Sequence, residues 1–248
     1  MLAHGQTPTS SPGTDALEGE SARADAAPVL CLEGVTKYWG WKRRGTPVLS
    51  GVDLELFGGT ATWIGGRNGA GKTTLLRLAG GLLAADEGEI SLHGLSPERQ
   101  RRRYQRMIGF LSAGDRGLYP RLSVTRHLRL WAKVAFVPPS DRVAAVDRAV
   151  ARFGLEPLLA KRVDRLSLGQ RQRLKLSLAF LHDPELVLLD EPGNSLDEDG
   201  IALLSTALSV HTARGGVAIW CSPVGEAGPL PFDRRFVIDS GRLLIDGA

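Results

Sequence analysis

Cysteine is nearly absent from this chain; its two examples, Cys31 and Cys221, lie about 190 positions apart. Neither has a CxxC partner or a histidine-rich neighbourhood, so neither a disulfide framework nor a zinc site is suggested. Each sits inside an apolar, strand-like run, where a buried reduced thiol of a cytosolic protein is the expectation. Long apolar runs are also missing. The strongest, Leu181 to Leu189, is broken by His182, Asp183, Pro184 and Glu185, far short of the ~20 residues of a spanning helix. No charge of one sign dominates: 31 Lys and Arg against 27 Asp and Glu give +4, which permits weak attraction to anionic surfaces and names no partner. The first 28 residues lack the apolar core and basic start of a secretory signal. Their bias to Ser, Thr, Pro, Gly, Ala and acids cannot bury a core, so 1–28 is expected to be a disordered tail.

The remainder, 29–248, is expected to carry the fold. The whole chain is 43% hydrophobic and 23% charged, near the average for soluble globular proteins, and no repeat of solenoid period is visible. Val29 to Val35 and Val48 to Phe57 read as strands in an antiparallel opening, the second by its alternation. Thr60 to Ile64 reads as a short strand that ends in glycines and is followed by a helix from Lys72 to Leu83. From Pro97 to about Leu166 the pattern is mainly helical, with an arginine-rich run from Glu98 to Arg106 and a break at Pro138-Pro139. For that arginine run a solvated helix face is favoured over binding of phosphate, lipid headgroups or RNA. A helix from Leu168 to His182 leads into Leu186 to Leu189, and Val217 to Cys221 is a second unbroken apolar run; both fit strands buried on two faces. Arg235 to Ile238 and Arg242 to Ile245 read as a hairpin.

The segment Gly66-Arg67-Asn68-Gly69-Ala70-Gly71-Lys72-Thr73 fits GxxxxGK[ST] and stands between a strand and a helix. Glycines let successive N–H groups curl around phosphate oxygens, and the helix N-terminus adds partial positive charge. Gly66 to Thr74 is therefore the expected phosphate cradle, with Lys72 reaching the β- and γ-phosphates and the Thr73 hydroxyl ligating Mg²⁺. A second signal is Leu186-Val-Leu-Leu-Asp-Glu191, a buried strand delivering two carboxylates at its C-terminal end, where open α/β sheets place ligands. Asp190 is expected to hold Mg²⁺ through water, and Glu191 to polarise an attacking water as general base.

About two dozen positions before this pair stands Arg165-Leu-Ser-Leu-Gly-Gln-Arg-Gln-Arg173. It resembles the signature motif of ATP-binding cassette (ABC) ATPases, usually LSGGQ and here Leu166 to Gln170. The resemblance covers nearly all of Val29 to Ala248 and rests on four ordered motifs. Ser167, Gly169 and Gln170 stand at a helix start, whose N–H groups and dipole address phosphate; in the family that phosphate belongs to ATP on an opposing subunit. The resemblance also puts Asn194-Ser-Leu-Asp197 at the D-loop, with Asp197 at the dimer interface. It places an adenine-stacking aromatic at Trp39, with Tyr38 and Trp41 as competitors.

The chain departs from the family at two positions. Ala113 stands where the Q-loop glutamine is expected, leaving Ser112 or Asp115 to take over, and Pro223 stands where a switch histidine is expected and offers no side-chain donor. The implied fold is an α/β P-loop NTPase of ABC type. It combines a mixed, largely parallel core sheet with an antiparallel β subdomain and a helical subdomain at about 97–182. The implied function is an ATP-binding and ATP-hydrolysing subunit that powers transport, expected to be export, with slowed but real turnover. Its expected partners are a second cassette and an integral membrane permease, without nucleic acid, at the cytoplasmic face of the membrane. The alternatives are a regulatory subunit with little turnover and a soluble ABC ATPase without a transport role.

Overall fold

The computed structural model describes residues 27–39, 45–114, 117–225 and 231–246. The expected tail, apart from its last two residues, lies outside these, as do Trp41 and Asp115. In chain order the elements are β1 (Leu30–Lys37), β2 (Leu49–Leu56), β3 (Ala61–Gly66), α1 (Lys72–Ala79), β4 (Glu87–Leu92), α2 (Arg101–Arg106), β5 (Ile108–Leu111), α3 (Val124–Val134), α4 (Arg142–Arg152), α5 (Leu168–Phe180), β6 (Leu186–Asp190), α6 (Glu198–Ala213), β7 (Val217–Cys221), β8 (Arg234–Asp239) and β9 (Arg242–Ile245).

Two sheets result. One is antiparallel, in the order β2-β1-β4, with Leu30 opposite both Leu56 and Leu92. The other runs β5-β6-β7-β3-β8-β9, parallel except for the edge strand β9. Successive residues of β6 point to opposite faces, so Leu186 and Leu188 join one core while Val187 and Leu189 join the other. That is why β6 is apolar throughout: it is buried on both sides, at about 2 kcal/mol for each large side chain. The first core also takes in α1 and the antiparallel sheet; the second takes in α3 to α6.

Three differences from the sequence reading have local causes. The helix begun at Lys72 stops at Ala79 rather than Leu83, because Gly80 and Gly81 follow and Gly81 turns left-handed at φ +61. The helix begun at Leu168 ends at Phe180, before the positive φ of Asp183 and the ring of Pro184. Strand β4 escapes a pattern search because only Ile90 and Leu92 of its six residues are buried. Within the span 97–182 read as helical subdomain, β5 belongs to the six-stranded sheet, and α5 lies so close over it that a Cβ on Gly109 would collide with the Ala179 carbonyl.

Candidate nucleotide site

Parallel strands present all their carboxyl ends along one edge of the sheet. That edge here collects the residues after β5 (Ser112, Ala113), β6 (Glu191), β7 (Ser222, Pro223) and β3 (the loop to α1). Sheet order therefore brings together segments more than a hundred residues apart in sequence.

The loop Gly66 to Gly71 wraps around the start of α1. Lys72, only 5% exposed, folds its ammonium back to donate to the carbonyls of Gly66 at 2.7 Å and Arg67 at 3.1 Å. The Ala70 amide donates to the Arg67 carbonyl at 3.0 Å, closing the turn. Gly71 sits at φ +112, and a Cβ on it would come within 3.0 Å of Leu49 and 3.1 Å of the Val48 carbonyl. Glycine is thus required there twice, by dihedral and by space. Arg67, Asn68 and Gly69 form the exposed crest, while Thr74 is buried below them. The Val48 amide donates to the Lys37 carbonyl at 2.8 Å, which sets the end of β1 beside the loop. Trp39, 54% exposed, follows two residues later, whereas Tyr38 is half-buried with its amide held by the Asp86 carboxylate at 2.9 Å.

Asp190 and Thr73 meet directly, the Thr73 hydroxyl donating to the carboxylate at 2.8 Å. Burial, above all, pushes the Asp190 carboxyl upward from its usual range, and neighbouring Glu191 adds to the rise. The Thr73 hydroxyl, the Ala113 amide and the Lys72 ammonium act in the opposite sense. Glu191 takes a left-handed φ of +52 while its amide donates to the Cys221 carbonyl at 2.8 Å. This single turn is how consecutive carboxylates, which a regular strand would send to opposite faces, serve one edge. The Asn194 amide group donates to the Glu191 carboxylate at 2.7 Å.

The signature and D-loop candidates gather elsewhere. Ser167 caps α5 by accepting from the Gln170 amide, and the Gln170 side chain accepts from the Ser167 amide, both at 3.2 Å. Asp197 caps α6, accepting from the Gly200 amide at 2.8 Å. A Cβ on Gly169 would lie 2.8 Å from the Ser195 carbonyl, so the two segments touch through backbone. Gln172, buried, donates to the Pro192 carbonyl at 2.9 Å and ties α5 to the turn after Glu191. Leu168, where the family usually has glycine, is 60% exposed.

At the two positions expected to depart from the family, Ala113 presents a methyl, and Pro223 follows Ser222, whose hydroxyl accepts from the Trp63 indole at 2.8 Å. One residue escaped the sequence reading. Lys175 lies within α5 between Leu174 and Leu176, is 6% exposed, and donates to the Ser112 carbonyl at 2.6 Å and to that of Gly114. A lysine inside an otherwise apolar stretch was the available signal, since buried lysines are rare unless paired. Cys31 and Cys221 are free and buried, as expected; burial raises the Cys31 thiol to about 11 and pushes that of Cys221 up as well.

Comparison with known proteins adds independent support. The family profile for ABC transporters matches residues 49–194. The chain is 38% identical to the "Cytochrome c biogenesis ATP-binding export protein CcmA" of Cupriavidus necator, over 86% of this chain and 89% of that protein. It is 28% identical to the "ABC transporter ATP-binding protein NatA" of Bacillus subtilis, over 89% of each. Among solved structures, the ATP-binding subunit of an ABC transporter superposes with a TM-score of 0.77 at 25% identity, covering 87% of this chain and 88% of the other. A sheet edge that gathers the glycine-rich loop and the Asp-Glu pair, with the capped signature candidate set apart from it, agrees with these matches: the chain belongs to the ABC transporter family, as a nucleotide-binding subunit.

Proposed function

We propose that this subunit binds ATP on Gly66 to Thr74 and hydrolyses it with Glu191 as general base, as one cassette over 29–248 that drives export through a membrane-spanning partner. The observation that carries the hydrolytic part is the Thr73–Asp190 contact beneath the loop. A hydroxyl and a carboxylate are hard oxygen donors that suit Mg²⁺, which takes one or two protein ligands and completes its shell with water and phosphate oxygens. Mg²⁺ there would offset charge on the phosphates. Lys72 would exchange its two carbonyl partners for phosphate oxygens, and Trp39 would stack on the adenine from the end of β1. Glu191, oriented by Asn194, would accept the proton of the attacking water.

Ser167, Gly169, Gln170 and Asp197 would face ATP held by a second cassette, with exposed Leu168 at the same contact. For the membrane partner we assign the groove of about 390 Å³ between α1, β5 and α3, where Leu82, Phe110, Leu118 and Trp131 present apolar surface beside Arg77. Leu82 in this groove is 52% exposed. Export rather than import is favoured by the printed name of the Cupriavidus relative. Ala113 and Pro223 leave the γ-phosphate and water with fewer side-chain partners, so turnover is set below that of a site with both.

Single-turnover hydrolysis by the purified chain, beside a Glu191→Gln control, tests this reading. Loss of the general base should slow phosphate release about 100-fold or more while ATP binding persists. ATP retained by both proteins without phosphate release would replace it with a regulatory subunit of little turnover, which Ala113 and Pro223 favour. Co-purification with a multi-spanning membrane protein tests the docking groove.

A further inference from the structure

We propose that the outer face of α2, together with Phe136 just past α3, is a docking surface for anionic lipid headgroups around the membrane partner. The proposal rests on the reading that this subunit works against a membrane. From the sequence alone a solvated helix face is favoured for the arginine run, and two structural observations reverse that. The first is how α2 is fastened. Tyr104, fully buried, donates its hydroxyl to the Ala79 carbonyl at 2.6 Å, and the Gln105 side chain donates to the Gly81 carbonyl at 3.3 Å. These two residues tie α2 to the end of α1 and leave Arg99, Arg101, Arg102, Arg103 and Arg106 exposed. Among the described residues none of the five forms an ion pair. Solvated helix faces usually mix the two signs or pair them one turn apart, and α2 contains no acid. A cluster of unpaired arginines beside a membrane protein is the composition that anionic headgroups attract.

The second observation is that two of these arginines are held in place. Arg102 and Arg106, one turn apart, both lie over the ring of Phe136, at 5.6 and 4.7 Å from its centre. Phe136 is 52% exposed and takes a left-handed φ of +58, uncommon for an aromatic residue. Stacking on a ring orders a guanidinium and leaves its edge free to donate, and that planar fork matches phosphate oxygens. Lys133 and Val134 are exposed alongside, so basic and apolar groups share one ledge, as on surfaces that lie in a membrane interface. The ledge also continues into the groove assigned to the membrane partner. A cavity of about 280 Å³ lined by Gln105 and Val134 shares Leu82, Phe110 and Trp131 with that groove. Headgroups ringing a partner seated there would meet the arginines. Single-stranded nucleic acid is less well served, because it stacks successive bases on aromatic rings, and the one ring here already carries two guanidiniums.

Flotation of the purified full chain tests this, with vesicles of equal parts phosphatidylcholine and phosphatidylglycerol against phosphatidylcholine alone. The chain should float with the anionic vesicles only. Arg102→Gln and Arg106→Gln should each weaken partitioning about fivefold, and the double variant roughly 25-fold. Phe136→Asn, which suits a left-handed backbone and removes the ring without changing the charge, should weaken it about as much as one arginine. Arg148→Gln, which removes a charge from α4 instead, should stay within about twofold of wild type. Equal flotation with both vesicles, or full flotation of the double variant, overturns the proposal. A loss in Arg148→Gln as large as in Arg102→Gln overturns it as well, since the attraction then belongs to net charge. Retention of a polyuridylate oligomer that the double variant loses, without flotation of wild type, assigns the ledge to nucleic acid. Flotation needs neither ATP turnover nor a protein partner, so the two readings fail separately. Vesicle binding without a co-purifying membrane protein removes the partner and keeps the ledge, whereas a co-purifying partner without vesicle binding removes the ledge alone.

Discussion

The Gly66 to Thr74 loop and the Ser167 to Asp197 segment each carry candidate phosphate ligands, and they hold them in different ways. In the first, the polar groups converge across the sheet: Lys72 turns back on its own loop and Thr73 reaches Asp190 from another strand. In the second, Ser167 and Asp197 satisfy the first turns of their own helices, and neither bonds to the 66–74 loop. The first region is assembled by tertiary structure, whereas the second consists of local helix caps with Ser167 and Asp197 exposed. On the proposed function, a single chain supplies a preorganised cradle and, separately, a surface that would act opposite the cradle of another.

The sharpest way to break this contrast is Lys72→Ala. The buried ammonium now hydrogen-bonded to two carbonyls would be gone, and ATP phosphates would enter without their countercharge. Loss of one partner of a buried charge pair costs about 3 kcal/mol or more, so ATP affinity should drop roughly 100-fold. Unchanged affinity by equilibrium titration would mean that the loop is not the cradle.

Asp190→Asn gives the next largest effect and tests the first region through pH. Since burial raises the folded value of this carboxyl, the folded protein binds the proton more tightly than the unfolded chain. The native state is then favoured below the ordinary carboxylate range, and that advantage is lost as pH rises through the raised value. The nucleotide-free asparagine variant should melt above wild type at about pH 8, with the gap closing as pH falls toward about 4. Ligand at 100 times its Kd stabilises a protein by about 2.7 kcal/mol; with MgATP the variant should lose most of that rise and the wild type should keep it. A gap that widens in acid would show that the carboxylate is stabilised by the fold instead.

Most of the proposed cradle was legible in the sequence because its residues are local. Gly66 to Thr73 lies in one run between a strand and a helix, and Asp190 and Glu191 are adjacent, so type and spacing were sufficient. Sheet order was less visible: nothing in Val217 to Cys221 says that β7 inserts between β6 and β3. The motifs set Thr73 and Asp190 at one expected Mg²⁺ site, but their direct hydrogen bond across 117 positions follows from that order. Lys175 was overlooked for the same reason, since its acceptors are backbone carbonyls of a loop some sixty residues earlier. Strand β4 was missed because half its residues are acidic or exposed, and its place is secured by pairing with β1.

The smallest effects fall in the second region, where capping and phosphate binding make opposite demands on the same side chains. Ser167→Ala and Asp197→Ala each remove a cap worth about 1 kcal/mol, which for a chain of this size lowers the melting temperature by roughly 2–4 °C. Such a loss says nothing about ATP. Ser167→Asn and Asp197→Ser are more informative, because asparagine and serine cap helices nearly as well as the residues they replace. If these positions serve only their helices, both variants should match wild type in stability and turnover. If their outer faces meet a second cassette, stability should hold while steady-state hydrolysis falls and its dependence on protein concentration weakens. The dependence on concentration is the deciding measurement, since a cap acts within one chain at any dilution and a composite site requires two.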